Sequence, residues 1–354
     1  MNKFRSGVLF GNEVSDLFQY ANEENFALPA VNVVGSNTIV GALEAARAVQ
    51  SPIIIQFSNG GSQFVAGKGI KASGRSDVIG GVAGAHFVHN LAEHYGVSVV
   101  LHTDHCSKNL LPWIDGLMYA NREYFNKFQR PLYSSHMLDL SEEPIEENIA
   151  ICCEYLERMA PMGITLEIEL GITGGEEDGV DNTDVDNARL YTQPEEVAFA
   201  YEQLKAISPG FTVAAAFGNV HGVYKPGNVE LKPIILKNSQ EYIQKKFNTE
   251  PNPVHFVFHG GSGSSREEIR EAIEYGAIKM NIDTDTQWAF WAGIKEYYET
   301  NRDFMQTQIG RPGNPDAPNK KYYDPRQWLR EAEKSYVERL KMAFEDLNCI
   351  NRNV

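Results

Sequence analysis

The residues best suited to chemistry are histidines and carboxylates placed just after short apolar runs. His105 follows the run ending at Thr103, His221 follows the run ending at Phe217, and His259 follows the run ending at Phe258. Three imidazoles with a fourth position left open are the ligand set of a catalytic zinc ion. The competing reading is three unrelated histidines that cap or hydrogen-bond locally. Asp104 adjoins His105, so it either moves a proton on a substrate hydroxyl or orients a ligand histidine. His102 and His136 fall inside apolar runs and read as buried, hydrogen-bonded residues. His86, His89 and His94 fall in a helical stretch and read as surface or packing residues.

Next to the last of these histidines lies Gly260-Gly-Ser-Gly-Ser-Ser265, and Ser265-Arg-Glu-Glu268 has the form of a capping box. A helix start offers free N–H groups and a positive dipole end, which suits phosphate. Asp283-Thr284 opens a second cradle, with Thr284-Asp-Thr-Gln287 as another capping box. Ordinary capped helices are the alternative. No nucleotide P-loop is present, because Gly67-Lys68 is followed by Gly69.

Gly171-Ile-Thr-Gly-Gly-Glu-Glu-Asp-Gly179 sets paired carboxylates among glycines. Such a loop can close over a substrate and bring in a general base, or it is simply a mobile acidic loop. The run 181–186 lacks the glycine and glutamate of a calcium loop. Lys279 reads as a buried lysine paired with a carboxylate, with a Schiff-base role as the minority reading.

These residues need elements to hold them. Eight apolar strands alternate with helices, near 27–33, 52–58, 97–103, 132–138, 164–170, 212–217, 255–258 and 277–282. Strand–helix alternation implies a parallel sheet, and eight units in this length predict a (β/α)8 TIM barrel. An open doubly wound sheet would carry a Gly-x-Gly-x-x-Gly turn after its first strand, and Asn32-Val-Val-Gly-Ser-Asn37 is not one. The unusual polar residues collect at the strand C-termini, where barrels build their sites: Asn32, Ser58, Asp104, Asp139, Glu169, Asn281 and Asp283. A leader helix near 14–24, a turn-rich segment 310–319 and a final helix near 327–346 complete a single expected domain, with the barrel at about 27–300 and an extension at about 301–354.

Composition narrows the partners. A net charge of −15 argues against nucleic acid or an acidic membrane as the main partner, though not against a small anion. The four cysteines show no framework spacing, and the N-terminus lacks an apolar signal segment, so a reducing, cytoplasmic setting is expected. No apolar run is long enough to span a membrane.

Several long motifs in one order resemble class II fructose-bisphosphate aldolase, in its long-tailed, class IIA-like branch. They are Leu101-His-Thr-Asp-His-Cys106, Ser134-Ser-His-Met-Leu-Asp139, Thr173-Gly-Gly-Glu-Glu-Asp-Gly179, Gly218-Asn-Val-His-Gly222, Phe258-His-Gly-Gly-Ser-Gly263, Asn281-Ile-Asp-Thr284 and Asn319-Lys-Lys-Tyr-Tyr-Asp-Pro-Arg326. The resemblance implies a lyase of glycolysis and gluconeogenesis. It would cleave fructose 1,6-bisphosphate to dihydroxyacetone phosphate and glyceraldehyde 3-phosphate through a zinc-stabilised enediolate. It implies catalytic zinc on His105, His221 and His259, proton exchange at Asp104, and proton movement by Glu177 with Glu176 assisting. Asp139 and Glu169 would form a second metal position. Gly222, Gly260, Gly261, Ser262, Asn281, Ile282, Asp283 and Thr284 would hold dihydroxyacetone phosphate. Asn32, Ser58 and Arg326 would hold the aldehyde half, with Arg326 reaching across a homodimer. A monovalent cation, K+ or Na+, would sit near Val220, Gly222, Gly260 and Ser262. Tagatose bisphosphate as the substrate, or a metal-dependent hydrolase on the same barrel, are the alternatives.

Overall fold

In the computed structural model, eight parallel strands close on themselves: β1 (Leu28–Asn32), β2 (Ile53–Phe57), β3 (Ser98–Thr103), β4 (Ser135–Leu138), β5 (Thr165–Leu170), β6 (Phe211–Ala215), β7 (Phe256–Phe258) and β8 (Ala277–Ile282). The structure describes residues 3–70, 75–171, 174–177, 180–182, 190–221, 231–261 and 263–354; of 174–177, 180–182, 220 and 221 it describes the backbone alone. β8 pairs with β1 (Asn281 with Ala30) and β3 pairs with β4 (His102 with Ser135), which closes the ring. A helix follows each strand, so the fold is a (β/α)8 TIM barrel.

The strands form because their side chains are buried on both faces. Ile53-Ile54-Ile55 and Val99-Val100-Leu101 are β-branched or leucine runs with no exposed position. The surrounding helices bury one stripe each. Ile145–Met159, for instance, buries Ile149, Cys152, Leu156 and Met159. Where Ser76–Tyr95 crosses Asn59–Ala66, a Cβ on Gly80 would lie 1.7 Å from the Ser62 carbonyl oxygen, so this crossing requires glycine.

The termini close the N-terminal end of the barrel. A two-residue strand, Gly7–Val8, pairs with the start of β3, and Phe4 N–H donates to Asn353 Oδ1 at 2.7 Å. Asn353 Nδ2 in turn donates to Ser98 Oγ at 3.0 Å. The final helix, Pro325–Asp346, begins with Asp324 as its cap and proline at its first position. It packs along Thr284–Asn301 and Ser36–Ala48 through Tyr336, Leu340 and Ala343. These contacts leave the opposite end, at the strand C-termini, to the loops.

Three segments form elements that their local composition does not announce. The glycine-rich stretch after β2 begins as a helix, Asn59–Ala66, capped by Ser58, whose Oγ accepts from Gly61 N–H at 3.1 Å. The stretch read as a flexible acidic loop contains Gly174–Glu177, paired antiparallel with Val180–Asn182 and parallel with Val220–His221. The turn-rich tail forms a hairpin, Ile309–Arg311 with Asn314–Pro318. In each case tertiary pairing supplied hydrogen-bond partners that local composition does not reveal.

Candidate active site

Asp104 sits immediately after β3, fully buried, with each carboxylate oxygen held by an amide. Asn32 Nδ2, at the end of β1, donates to Oδ2 at 2.9 Å, and Asn281 Nδ2, near the end of β8, donates to Oδ1 at 3.0 Å. Gln56 donates to the Asn32 carbonyl oxygen, which decides that the Asn32 nitrogen faces Asp104. Burial alone would raise the Asp104 pKa. The nearby His105, Lys279 and His259 and the Asn32 hydrogen bond outweigh it and hold the carboxyl below its ordinary range.

His105 follows in a left-handed backbone, φ 35°, uncommon for a residue with a side chain. Its N–H meets Met137 Sδ at 3.4 Å. The ring Nδ1 lies 3.0 Å from Asp139 Oδ2 and 3.5 Å from Glu169 Oε2. Burial acts to raise the Asp139 pKa, but its bond to His105 and its contacts with Ser141 prevail and keep it ionised. His259, at the end of β7, is fully buried; its Nε2 lies 2.9 Å from Glu167 Oε1. The inner nitrogens, His105 Nε2 and His259 Nδ1, face each other at 3.0 Å.

That geometry tests whether a metal fits. An ionised carboxylate can only accept a hydrogen bond. With a metal ion bound between them the two rings would be neutral, and each would then spend its single proton outward, on Asp139 or on Glu167. The two inner nitrogens, 3.0 Å apart, would then both face the ion, and a tetrahedral ion with bonds of about 2.0–2.1 Å needs only a small widening. Among the described residues, two donor clusters meet the spacing for an ion: Asp104, His105 and His259, and His105, Asp139 and Glu169. Nitrogen and oxygen donors of this kind suit a borderline divalent metal.

Of the expected ligands, His221 has its backbone in the strand beside Gly174–Glu177, with His221 in register with Gly175. The strand carrying Glu176 and Glu177 thus runs alongside the one carrying Val220 and His221, whose side chains lie outside the described residues. Gly222 and Ser262 lie outside them altogether.

The two expected cradles differ. Ser265 forms its capping box: Ser265 Oγ accepts from Glu268 N–H at 3.2 Å and Ser265 N–H donates to Glu268 Oε2 at 2.8 Å. Thr284 does not; it is the first helical residue, with Asp283 at the cap and its Oδ2 accepting from Gln287 Nε2 at 2.7 Å. Gly260 adopts φ 59°, a left-handed backbone that favours glycine, and a Cβ on Gly261 would displace the Met280 side chain. Ile282 is buried. Asn281 Oδ1 is buried with no hydrogen-bond partner among the described residues.

A cleft of about 290 Å3 joins Asn32, Ser58, Gly61, Lys68, Asp283 and Gln287. The roles of Gln56 and Lys68 here escaped sequence reasoning; a lone glutamine in Ile53-Ile-Ile-Gln-Phe57 was the available signal for the first. Arg326 is set apart: its side chain is 85% exposed and pairs with Asp324 at 2.7 Å.

His102 and His136 are buried and hydrogen-bonded, as expected. His102 Nδ1 lies 2.8 Å from Ser135 Oγ, and His136 lies between Thr103 Oγ1 and Asn121 Nδ2, each at 2.8 Å. Lys279 is ion-paired, with Nζ 2.7 and 2.8 Å from the two Glu167 oxygens.

A parallel barrel that gathers imidazoles and carboxylates at the C-terminal ends of its strands defines an enzyme of the metal-assisted barrel class. The profile of the family described as "Fructose-bisphosphate aldolase class-II" matches residues 12–352, and the chain belongs to that family. It is 64% identical over 349 residues to the fructose-bisphosphate aldolase of Haemophilus influenzae, covering 98% of this chain and 97% of that one. The fructose-bisphosphate aldolase class 2 of Escherichia coli K12 is 58% identical over 349 residues, with coverage of 98% and 97%. The crystal structure of fructose-bisphosphate aldolase from Campylobacter jejuni superposes with a TM-score of 0.91 at 57% identity, covering 99% of this chain and 98% of that one. No described helix is long and apolar enough to cross a membrane.

Proposed function

We propose that the protein catalyses the reversible aldol cleavage of fructose 1,6-bisphosphate to dihydroxyacetone phosphate and glyceraldehyde 3-phosphate, with zinc as its metal. The observation that carries this is the facing pair of inner nitrogens on His105 and His259, 3.0 Å apart beside the buried Asp104. His105, His221 and His259 would hold the ion, which when bound would supply Lewis acidity to polarise the substrate ketone.

The protein's own groups do the rest. Asp104, ionised and pinned by Asn32 and Asn281, accepts the proton of the C4 hydroxyl as the C3–C4 bond breaks. The electron pair left on C3 delocalises toward the ketone oxygen. Glu177, assisted by Glu176, delivers a proton to C3 to release dihydroxyacetone phosphate. Gly222, Gly260, Gly261, Ser262, Asn281, Ile282, Asp283 and Thr284 hold that half, with Asn281 Oδ1 available to a substrate hydroxyl. Asn32 and Ser58 line the cleft for the aldehyde half, and Lys68 beside them favours an anion. Arg326, exposed on its own subunit, serves the site of a second copy in a homodimer. Asp139 and Glu169 with His105 offer a second divalent position. Val220, Gly222, Gly260 and Ser262 take a monovalent cation, and the enzyme works in the cytoplasm as one domain.

The test is an aldol-cleavage assay on purified protein, run on fructose and tagatose 1,6-bisphosphates. EDTA abolishes cleavage of the fructose substrate and zinc restores it; the tagatose epimer is cleaved more slowly. Activity that survives chelation but is lost to borohydride with substrate would mean a Schiff base on Lys279 and end the metal reading.

A further inference from the structure

We propose that Glu167 and Lys279, neither of them a metal ligand, act as a positioning pair that sets the orientation and tautomer of His259. The inference rests on the reading of His259 as a ligand.

Glu167 lies on β5, Lys279 on β8 and His102 on β3, and all three side chains are buried. Lys279 Nζ donates to both Glu167 oxygens, at 2.7 and 2.8 Å. This two-point contact fixes the carboxylate plane and leaves Oε1 at 2.9 Å from His259 Nε2. His102 flanks the pair, its Nε2 3.5 Å from Glu167 Oε2 and 3.4 Å from Lys279 Nζ. His102 is itself anchored by Ser135.

The consequence follows from donor arithmetic. A carboxylate paired with an ammonium accepts only. A neutral His259 can satisfy Glu167 only by donating its Nε2 proton, which leaves Nδ1 unprotonated and turned toward His105 Nε2. Rotation of the ring would break the Glu167 contact. The arrangement mirrors the other ring, where Asp139 holds His105 Nδ1 and leaves Nε2 inward. A buried ion pair contributes little net stability over apolar residues of similar volume, so fold alone does not account for it. A carboxylate on the outer nitrogen of a ligand histidine does account for it.

The experiment compares two double variants with the wild type, because each removes both charges and leaves no unpaired ion. In Glu167→Leu/Lys279→Met, His259 loses its acceptor. In Glu167→Gln/Lys279→Met, a neutral acceptor remains. Zinc affinity is read by competition with a chromogenic chelator, and coordination by the visible spectrum of the Co2+ form. The expected result is a zinc Kd weakened about 10–100-fold in the first variant, partly recovered in the second, with an altered Co2+ spectrum. Wild-type affinity and spectrum in both, with only Tm lowered, would overturn the proposal. Failure of the underlying reading looks different: His259→Ala would then leave zinc binding intact.

Should a double variant not fold, the zinc-loaded wild type labelled with 15N-histidine decides. A slowly exchanging proton on His259 Nε2 supports the pair, and metal on Nε2 overturns it.

Discussion

Replacing Asp104 by alanine isolates the proton-transfer step. The carboxylate is fully buried and touches two amide donors, Asn32 Nδ2 at 2.9 Å and Asn281 Nδ2 at 3.0 Å. Removing a general base in this position costs about 10²–10⁴ in kcat. At about 1.4 kcal/mol per decade that is roughly 3–5 kcal/mol of barrier. Stability changes less simply. Each amide donor left without an acceptor costs about 1–3 kcal/mol, offset in part because a buried charge is gone. The measurement is the initial rate of fructose 1,6-bisphosphate cleavage, coupled to NADH oxidation, with zinc content and Tm taken on the same sample. We expect a folded, zinc-loaded variant with the rate lost. A variant that retains zinc and turns over within tenfold of wild type would refute the role of Asp104 as base. A variant that arrives without zinc would make Asp104 part of the metal site instead, as its place in a donor cluster with His105 and His259 allows. The pH profile gives a second check. The folded carboxyl is held below the ordinary carboxylate range by the neighbouring charges and the Asn32 hydrogen bond, so it stays ionised at neutral pH. An acid limb in kcat/KM near pH 6 therefore belongs to another group and persists in Asp104→Asn.

Ser58→Ala removes the cap of Asn59–Ala66, where Oγ accepts from Gly61 N–H at 3.1 Å. It lowers unfolding free energy by about 1 kcal/mol in urea titrations, separately from any rise in KM. His136 is fully buried, and desolvation lowers its pKa from 6.5 to about 3. Tyr133 N–H binds Asn121 Oδ1, so Asn121 Nδ2 donates to His136 Nε2 and protonation there breaks a bond. The unfolded chain takes up this proton first, so stability declines as pH falls from about 6.5 toward 3, by a few kcal/mol at ~1.4 per pKa unit. His136→Asn flattens the urea-unfolding profile over that range by about one proton. Arg326→Ala raises KM with no measurable change in stability, since an exposed ion pair such as Arg326–Asp324 contributes little. Unchanged kinetics would remove Arg326 from the site.

The linear chain carried the architecture and the chemistry-bearing residue types. Runs such as Ile53-Ile-Ile and Val99-Val-Leu are apolar at every position because both faces of a parallel barrel strand are covered, and this is visible without coordinates. The same holds for the Ser265 capping box, whose partners lie three residues apart. Polar residues at the ends of those runs marked the mouth of the barrel, since a strand terminus is the one place an apolar run leaves for them. Segments that depend on distant partners were not legible. Asn59–Ala66 looks like a glycine loop until Ser58 caps it and Ser76–Tyr95 packs on it, and Gly174–Glu177 becomes a strand only beside Val220–His221. Geometry within the site was likewise decided by tertiary structure alone. That Asp104 lies between two amides, that Gln56 orients one of them, and that Lys279 meets Glu167 behind His259 all depend on contacts between strands 24 to 177 residues apart in the chain. Hydrogen-bond direction needs ångström-scale placement, and only closure of the barrel provides it.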